Sequence, residues 1–159
     1  MEISASKVRS MKVHRLCFSL KNQRVLKTLK PVMLPQTLAR GKEHILLIED
    51  EEQIRIITEK ILTRLGYRVT SVSNGKDALI QFDIIKNGLD LILSDVVLGG
   101  DLSGPDVIVS IQSQLKNIGV IFMTGYLKQE LPGKLSEYSL LSKPFSRDQL
   151  AALIRKVVD

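Results

Sequence analysis

The chain has 159 residues, a hydrophobic fraction of 44%, one cysteine and a net charge of +6. That length holds one domain with a full core and a modest extension. The lone Cys17 excludes an intrachain disulfide and suits a reducing, cytoplasmic setting; no apolar run reaches a membrane span, and Leu-Cys-Phe-Ser-Leu at 16–20 is too short for a signal-peptide core.

The charge is unevenly placed. Residues 1–43 carry 10 Lys/Arg against 2 Glu, whereas residues 44–159 carry 13 Lys/Arg against 15 Asp/Glu. The chain therefore reads as a basic arm, 1–43, joined to a slightly acidic domain, 44–159, and its overall basicity does not mark the domain as a nucleic-acid binder. The arm has no sustained period, and Pro31 and Pro35 interrupt any helix begun before them. A short strand at 16–20 or a helical turn at 25–29 fits. Two readings stand side by side: a solvated, partly disordered arm, or a docking arm for an acidic partner, nucleic acid or an anionic membrane face. Phe18 is its only aromatic residue, so stacking on single strands has little support.

From His44 the pattern changes. His-Ile-Leu-Leu-Ile at 44–48 predicts a buried strand, and four acids, Glu49 to Glu52, close it. Ile54, Ile57, Ile61, Leu62 and Leu65 then recur at helical spacing up to Gly66, a helix stop. Residues 67–72 predict a second strand. Asn74-Gly75 leads into a helix through Ala78, Leu79, Phe82, Ile84 and Ile85, ended by Asn87-Gly88. Leu-Ile-Leu-Ser-Asp at 91–95 is an apolar run that stops on Asp95 and breaks into Gly99 and Gly100. Ser103-Gly104-Pro105 opens a helix through Val107, Ile108, Ile111 and Leu115, with proline in the first turn, where its missing N–H costs nothing. Residues 119–123 form a fourth strand, 127–136 hold at most a short helix, and 138–142 form a fifth strand. Ser146 caps a last helix through Leu150, Leu153, Ile154 and Val157.

Five strands alternating with helices over some 115 residues predict a doubly wound α/β domain with a five-stranded parallel sheet. Right-handed crossovers put all the strands' carboxyl ends on one side, where such sheets do their chemistry. Alone, Asp95 reads as a turn cap. Its company at that edge changes the reading. The first strand delivers Glu49 and Asp50, the fourth Thr124, the fifth Lys143 followed by Pro144. Three crowded carboxylates repel one another unless a cation neutralises them. Oxygen donors without histidine or cysteine suit Mg²⁺. A lysine and a threonine hydroxyl are suited to phosphoryl oxygens. Together they meet the needs of phosphoryl transfer to a carboxylate nucleophile, with Asp95 in that role.

At this point the residues carry a family likeness. Ile-Leu-Leu-Ile-Glu-Asp-Glu (45–51), Leu-Ser-Asp-Val-Val-Leu (93–98), Met-Thr-Gly-Tyr (123–126) and Ser-Lys-Pro-Phe (142–145), at these spacings, resemble the receiver domain of two-component response regulators. The likeness is nearest to receivers at the C-terminus of hybrid sensor histidine kinases. It implies a flavodoxin-like fold with strand order 2-1-3-4-5. It implies that Asp95 is phosphorylated by a histidine kinase or histidine phosphotransfer protein. Mg²⁺ would be held by Asp50 directly, Glu49 through water, Asp95 and the backbone carbonyl of Val97. Thr124 and Lys143 would bind the phosphoryl group. Beyond its own phosphorylation and dephosphorylation the domain is expected to catalyse nothing, and to take no small-molecule substrate other than a phosphodonor.

Three positions depart from the family. Glu49 stands where aspartate is commoner. Leu140 occupies the usual switch aromatic's place, three residues before Lys143, with Tyr126 a candidate substitute. The segment from Thr124 to Lys143 is short, so the helix before the last strand is expected to be stunted. Three functions follow: a phosphoacceptor that signals by protein contact without an output domain, a phosphate sink or relay intermediate, and a receiver that gates a nucleic-acid- or membrane-binding basic arm. Val97, two residues past Asp95, is apolar and offers no group to position a hydrolytic water, which favours a longer-lived phosphoryl group.

Overall fold

The computed structural model of the chain describes residues 41–125 and 133–159. The expectations for residues 16–20 and 25–29, for Tyr126, and for most of the short helix before the last strand fall outside the described residues. Five strands, β1 (His44–Ile48), β2 (Arg68–Val72), β3 (Leu91–Asp95), β4 (Gly119–Thr124) and β5 (Ser139–Ser142), alternate with four helices. The helices are α1 (Glu52–Arg64), α2 (Gly75–Ile85), α3 (Gly104–Gln112) and α4 (Arg147–Val158). The strands form one parallel sheet in the order β2-β1-β3-β4-β5. This is the flavodoxin-like arrangement that the sequence predicts.

The sheet is covered on both faces, which is why its central strands are apolar at successive positions. Side chains alternate across a strand. Leu46, Ile48, Ile92, Val120 and Phe122 pack with Ala78, Phe82, Val107, Ile108 and Ile111 of α2 and α3 on one face. Ile45, Leu47, Leu91, Leu93, Ile121 and Met123 pack with Leu62, Leu150 and Ile154 of α1 and α4 on the other. The helix starts follow the local chemistry. Asn74, Ser103 and Ser146 each accept a hydrogen bond from the third helical residue's N–H, and the two serines complete capping boxes.

Among the described residues the element limits differ in several places. Tyr67 and Tyr138 lie just before their strands rather than in them. Tyr138 stacks edge-on against Phe122 at 5.2 Å and donates its hydroxyl to Gln112 Oε1 at 2.8 Å, so a side-chain role replaces a strand position. α3 ends at Gln112, and Leu115 reaches the core from the turn after it. Two 3₁₀ segments, Lys86–Gly88 and Gly133–Glu137, join elements; the second is the described part of the connection expected to be stunted.

Candidate phosphoacceptor and cation site

Register brings the chemical groups together. Ile48 lies opposite Ser94, Asp95 opposite Met123 and Thr124 opposite Ser142. Asp95 at the end of β3 and the residues one step past β1 and β5, Glu49 and Lys143, converge at the carboxyl edge of the sheet. The N–H of Lys143 donates to the Thr124 carbonyl at 2.8 Å, which extends the pairing of β4 and β5 to the lysine. Its Nζ donates to Glu49 Oε2 and to Asp95 Oδ2, each at 2.6 Å. The three side chains are largely withdrawn from water, at 16% exposure for Lys143, 1% for Glu49 and 14% for Asp95. Asp95 Oδ1 accepts from the Val97 N–H at 3.1 Å. Thr124 is buried beside this group.

Burial pushes the Glu49 carboxyl above its ordinary range, the nearby Asp95 charge adds to that, and Lys143 offsets part of it. Burial works against the charged form of Lys143. The carboxylates of Asp95 and Glu49 outweigh it and hold the ammonium group above its ordinary value. The lysine therefore stays charged between two acids.

Asp50 is exposed and leans across the edge. Its Oδ2 accepts from the Gly99 N–H at 3.0 Å, so the loop after β3 closes onto the acidic pair. A Cβ at Gly99 would stand 3.2 Å from that oxygen, closer than side chains ordinarily approach. The two glycines after Asp95 thus allow a close approach of the loop, and Gly100, with φ of 109°, turns the chain away.

Among the described residues, Glu49, Asp50 and Asp95 each offer a carboxylate oxygen within 4.8 Å of the others. Glu49 Oε1 is buried with no hydrogen-bond partner, a cost that a nearby ligand would relieve. The donors are all hard oxygens. The residues present fit a hard divalent cation.

Two residues that the sequence does not single out belong to this architecture. Gly104, at the start of α3, would place a Cβ 2.0 Å from the Asp95 carbonyl oxygen and 2.9 Å from Ser94 Oγ. Its sequence signal is the Ser-Gly-Pro helix start, which gives no hint of what lies behind it. Arg55 of α1 donates from one Nη to the carbonyl of Glu49 at 2.8 Å and to that of Asp50 at 3.4 Å. A charged residue on an amphipathic helix, here between Ile54 and Ile56, carries no sequence sign of such a contact.

A doubly wound sheet with a lysine bridging two of three edge carboxylates defines a phosphoacceptor class of domain. The comparisons with known proteins agree. Residues 45–155 match the family described as the response regulator receiver domain, and the chain belongs to that family. Members are phosphoacceptors of two-component signalling. The sensor kinase CckA of Brucella abortus is 29% identical over 122 residues, covering 75% of this chain and 13% of that protein. Sporulation initiation phosphotransferase F of Bacillus subtilis is 30% identical over 118 residues, covering 72% of this chain and 92% of that protein. Of several other curated relatives that it matches, the chain spans half or less of the length. Among solved structures, the receiver domain of the hybrid histidine kinase CckA is similar, with a TM-score of 0.63 and 28% identity over 73% of this chain and 99% of that one. The response regulator TrrA of Thermotoga maritima, solved with Mg²⁺ and BeF, has a TM-score of 0.64 and 27% identity over 72% of this chain and 98% of that one. Among the described residues no helix is long and apolar enough to cross a membrane.

Proposed function

We propose that the domain accepts a phosphoryl group on Asp95 from a histidine kinase or histidine phosphotransfer protein and signals by the contacts it then makes. The observation that carries this is the lysine bridge, Lys143 to Glu49 and Asp95 at 2.6 Å each, with Asp50 alongside. A carboxylate oxygen of Asp95 attacks phosphorus, the bond from phosphorus to the donor's nitrogen or oxygen breaks with its electron pair leaving on the donor, and an acyl phosphate remains on Asp95. Lys143 exchanges its contact with Asp95 for one with a transferred oxygen, and the Thr124 hydroxyl donates to another. Asp50, Asp95, Glu49 and the Val97 carbonyl are the groups that would hold Mg²⁺, whose chemical contribution is to neutralise charge on the transferred oxygens. The site turns over only its own phosphoryl group. A phosphodonor protein in the cytoplasm, where the lone cysteine stays reduced, completes the reading.

A relay-intermediate role is the second reading. It is favoured by the match to sporulation initiation phosphotransferase F across 92% of that protein. The exposed, apolar Val97, at 54% exposure, supplies no polar side chain beside Asp95 to direct a hydrolytic water. A long-lived phosphoryl group suits either reading, and back-transfer to the donor separates them. For the common core of both, Asp95→Asn is expected to abolish labelling by acetyl phosphate with Mg²⁺, measured by intact-protein mass. Full labelling of that variant would remove Asp95 from its role.

A further inference from the structure

We infer that Arg55 is a positioning residue that sets the cation affinity of Glu49 and Asp50 through their backbone. The inference rests on the reading of those acids as cation ligands. The observation behind it is a contrast among the helices. Asn74, Ser103 and Ser146 cap α2, α3 and α4, whereas Glu51, at the start of α1, makes no side-chain cap bond. Without such a cap, the first N–H groups of α1 take no hydrogen bond from the side chain at the cap position. The chain just before that turn is the acidic pair itself.

Arg55 replaces the missing restraint from the other side. It sits one turn into α1, its own N–H donates to the Glu51 carbonyl at 2.9 Å, and its guanidinium turns back toward the strand end. One Nη meets both the Glu49 and the Asp50 carbonyls. The Glu49 N–H is held at the same time by the Val72 carbonyl at 3.1 Å. Glu49 is therefore held at both its N–H and its carbonyl, and the neighbouring Asp50 carbonyl is held by the same guanidinium. The two N–H bonds of that one Nη serve the two carbonyls, and the rigid guanidinium brings them there with less freedom than an ammonium on a flexible stem. Residues that orient ligands from behind typically alter metal affinity by about 10–100-fold when removed.

The alternative is that Arg55 acts only through its charge. The two roles predict opposite signs. A positive charge near the site opposes a divalent cation, so removing it would tighten binding. Removing a tether would loosen binding.

The test is calorimetric titration of the full chain with Mg²⁺, without phosphodonor, at a temperature well below each variant's unfolding midpoint. Arg55→Met is expected to bind Mg²⁺ about tenfold more weakly than wild type. Arg55→Lys, which keeps the charge and a donor, is expected to fall between the two. Glu59→Gln, on the same helix and bonded to Ser71 Oγ rather than to the acidic pair, is expected to match wild type. Equal or tighter binding by Arg55→Met would overturn the positioning role, as would an equal loss in Glu59→Gln, which would mark general loosening of α1. No binding by the wild type would overturn the cation-site reading itself, and the wild-type titration distinguishes that outcome from the failure of Arg55's role alone.

Discussion

Gly104→Ala is the smallest change that strikes the site from behind. The added Cβ would start 2.0 Å from the Asp95 carbonyl oxygen and 3.1 Å from its carbonyl carbon. Real Cβ atoms essentially never come within 3.0 Å of such a neighbour, so backbone has to yield by about 1 Å. Neither side is free to do so. Asp95 closes β3, and the N–H of Gly104 donates to the Val96 carbonyl at 3.1 Å. Ser103, the residue before, forms the capping box with Asp106. Forcing extra volume into packed structure costs about 1–3 kcal/mol, and loosening the Ser103 cap adds about 1 kcal/mol. A loss of about 3 kcal/mol is expected, a large share of an ordinary domain's stability. Urea unfolding followed by far-UV circular dichroism gives the stability, and acetyl phosphate labelling with Mg²⁺ gives the function. Because Asp95 moves with its carbonyl, labelling at a urea-free, folded temperature should slow as well. Stability within about 0.5 kcal/mol of wild type, the ordinary scatter of surface changes, together with normal labelling, would refute the close-approach argument.

Two further expectations concern buried charged and titratable groups. Lys143→Met leaves Glu49 and Asp95 facing each other without their cation, which should cost about 3 kcal/mol in metal-free buffer; added Mg²⁺ should raise the thermal midpoint more in the variant than in wild type, and an unchanged midpoint without metal would contradict the bridge. His44 is buried, its Nε2 lies 2.9 Å from Thr70 Oγ1, and burial followed by the Arg68 charge holds its pKa below the ordinary 6.5. The unfolded chain therefore takes up the proton first, so this contribution to stability is intact above pH 6.5 and is lost as pH falls from there toward the folded value. His44→Gln should flatten the fall in urea midpoint between pH 7.5 and pH 5.5 relative to wild type, and identical slopes would exclude His44 as the cause.

The sequence by itself determines the element types, the sheet order through family likeness, and the residues that meet at the carboxyl edge. The reason is that strand burial and helix amphipathicity leave a local period, and each candidate site residue ends a strand or follows its end within two residues. Glu49, Asp50, Asp95, Thr124 and Lys143 were therefore legible one by one. Their arrangement was not. That Lys143 bridges Glu49 and Asp95 rather than meeting one alone depends on strand register, which no single segment encodes. Tyr67 and Tyr138 carry strand-like character but lie outside the strands, and Tyr138 spends its side chain on Phe122 and Gln112. Arg55 and Gly104 act through backbone atoms of other residues, and a contact with a carbonyl oxygen leaves no mark on the partner's side chain. Tertiary packing alone decides those contacts, since it alone determines which carbonyl stands 2.0 Å from where a Cβ would be.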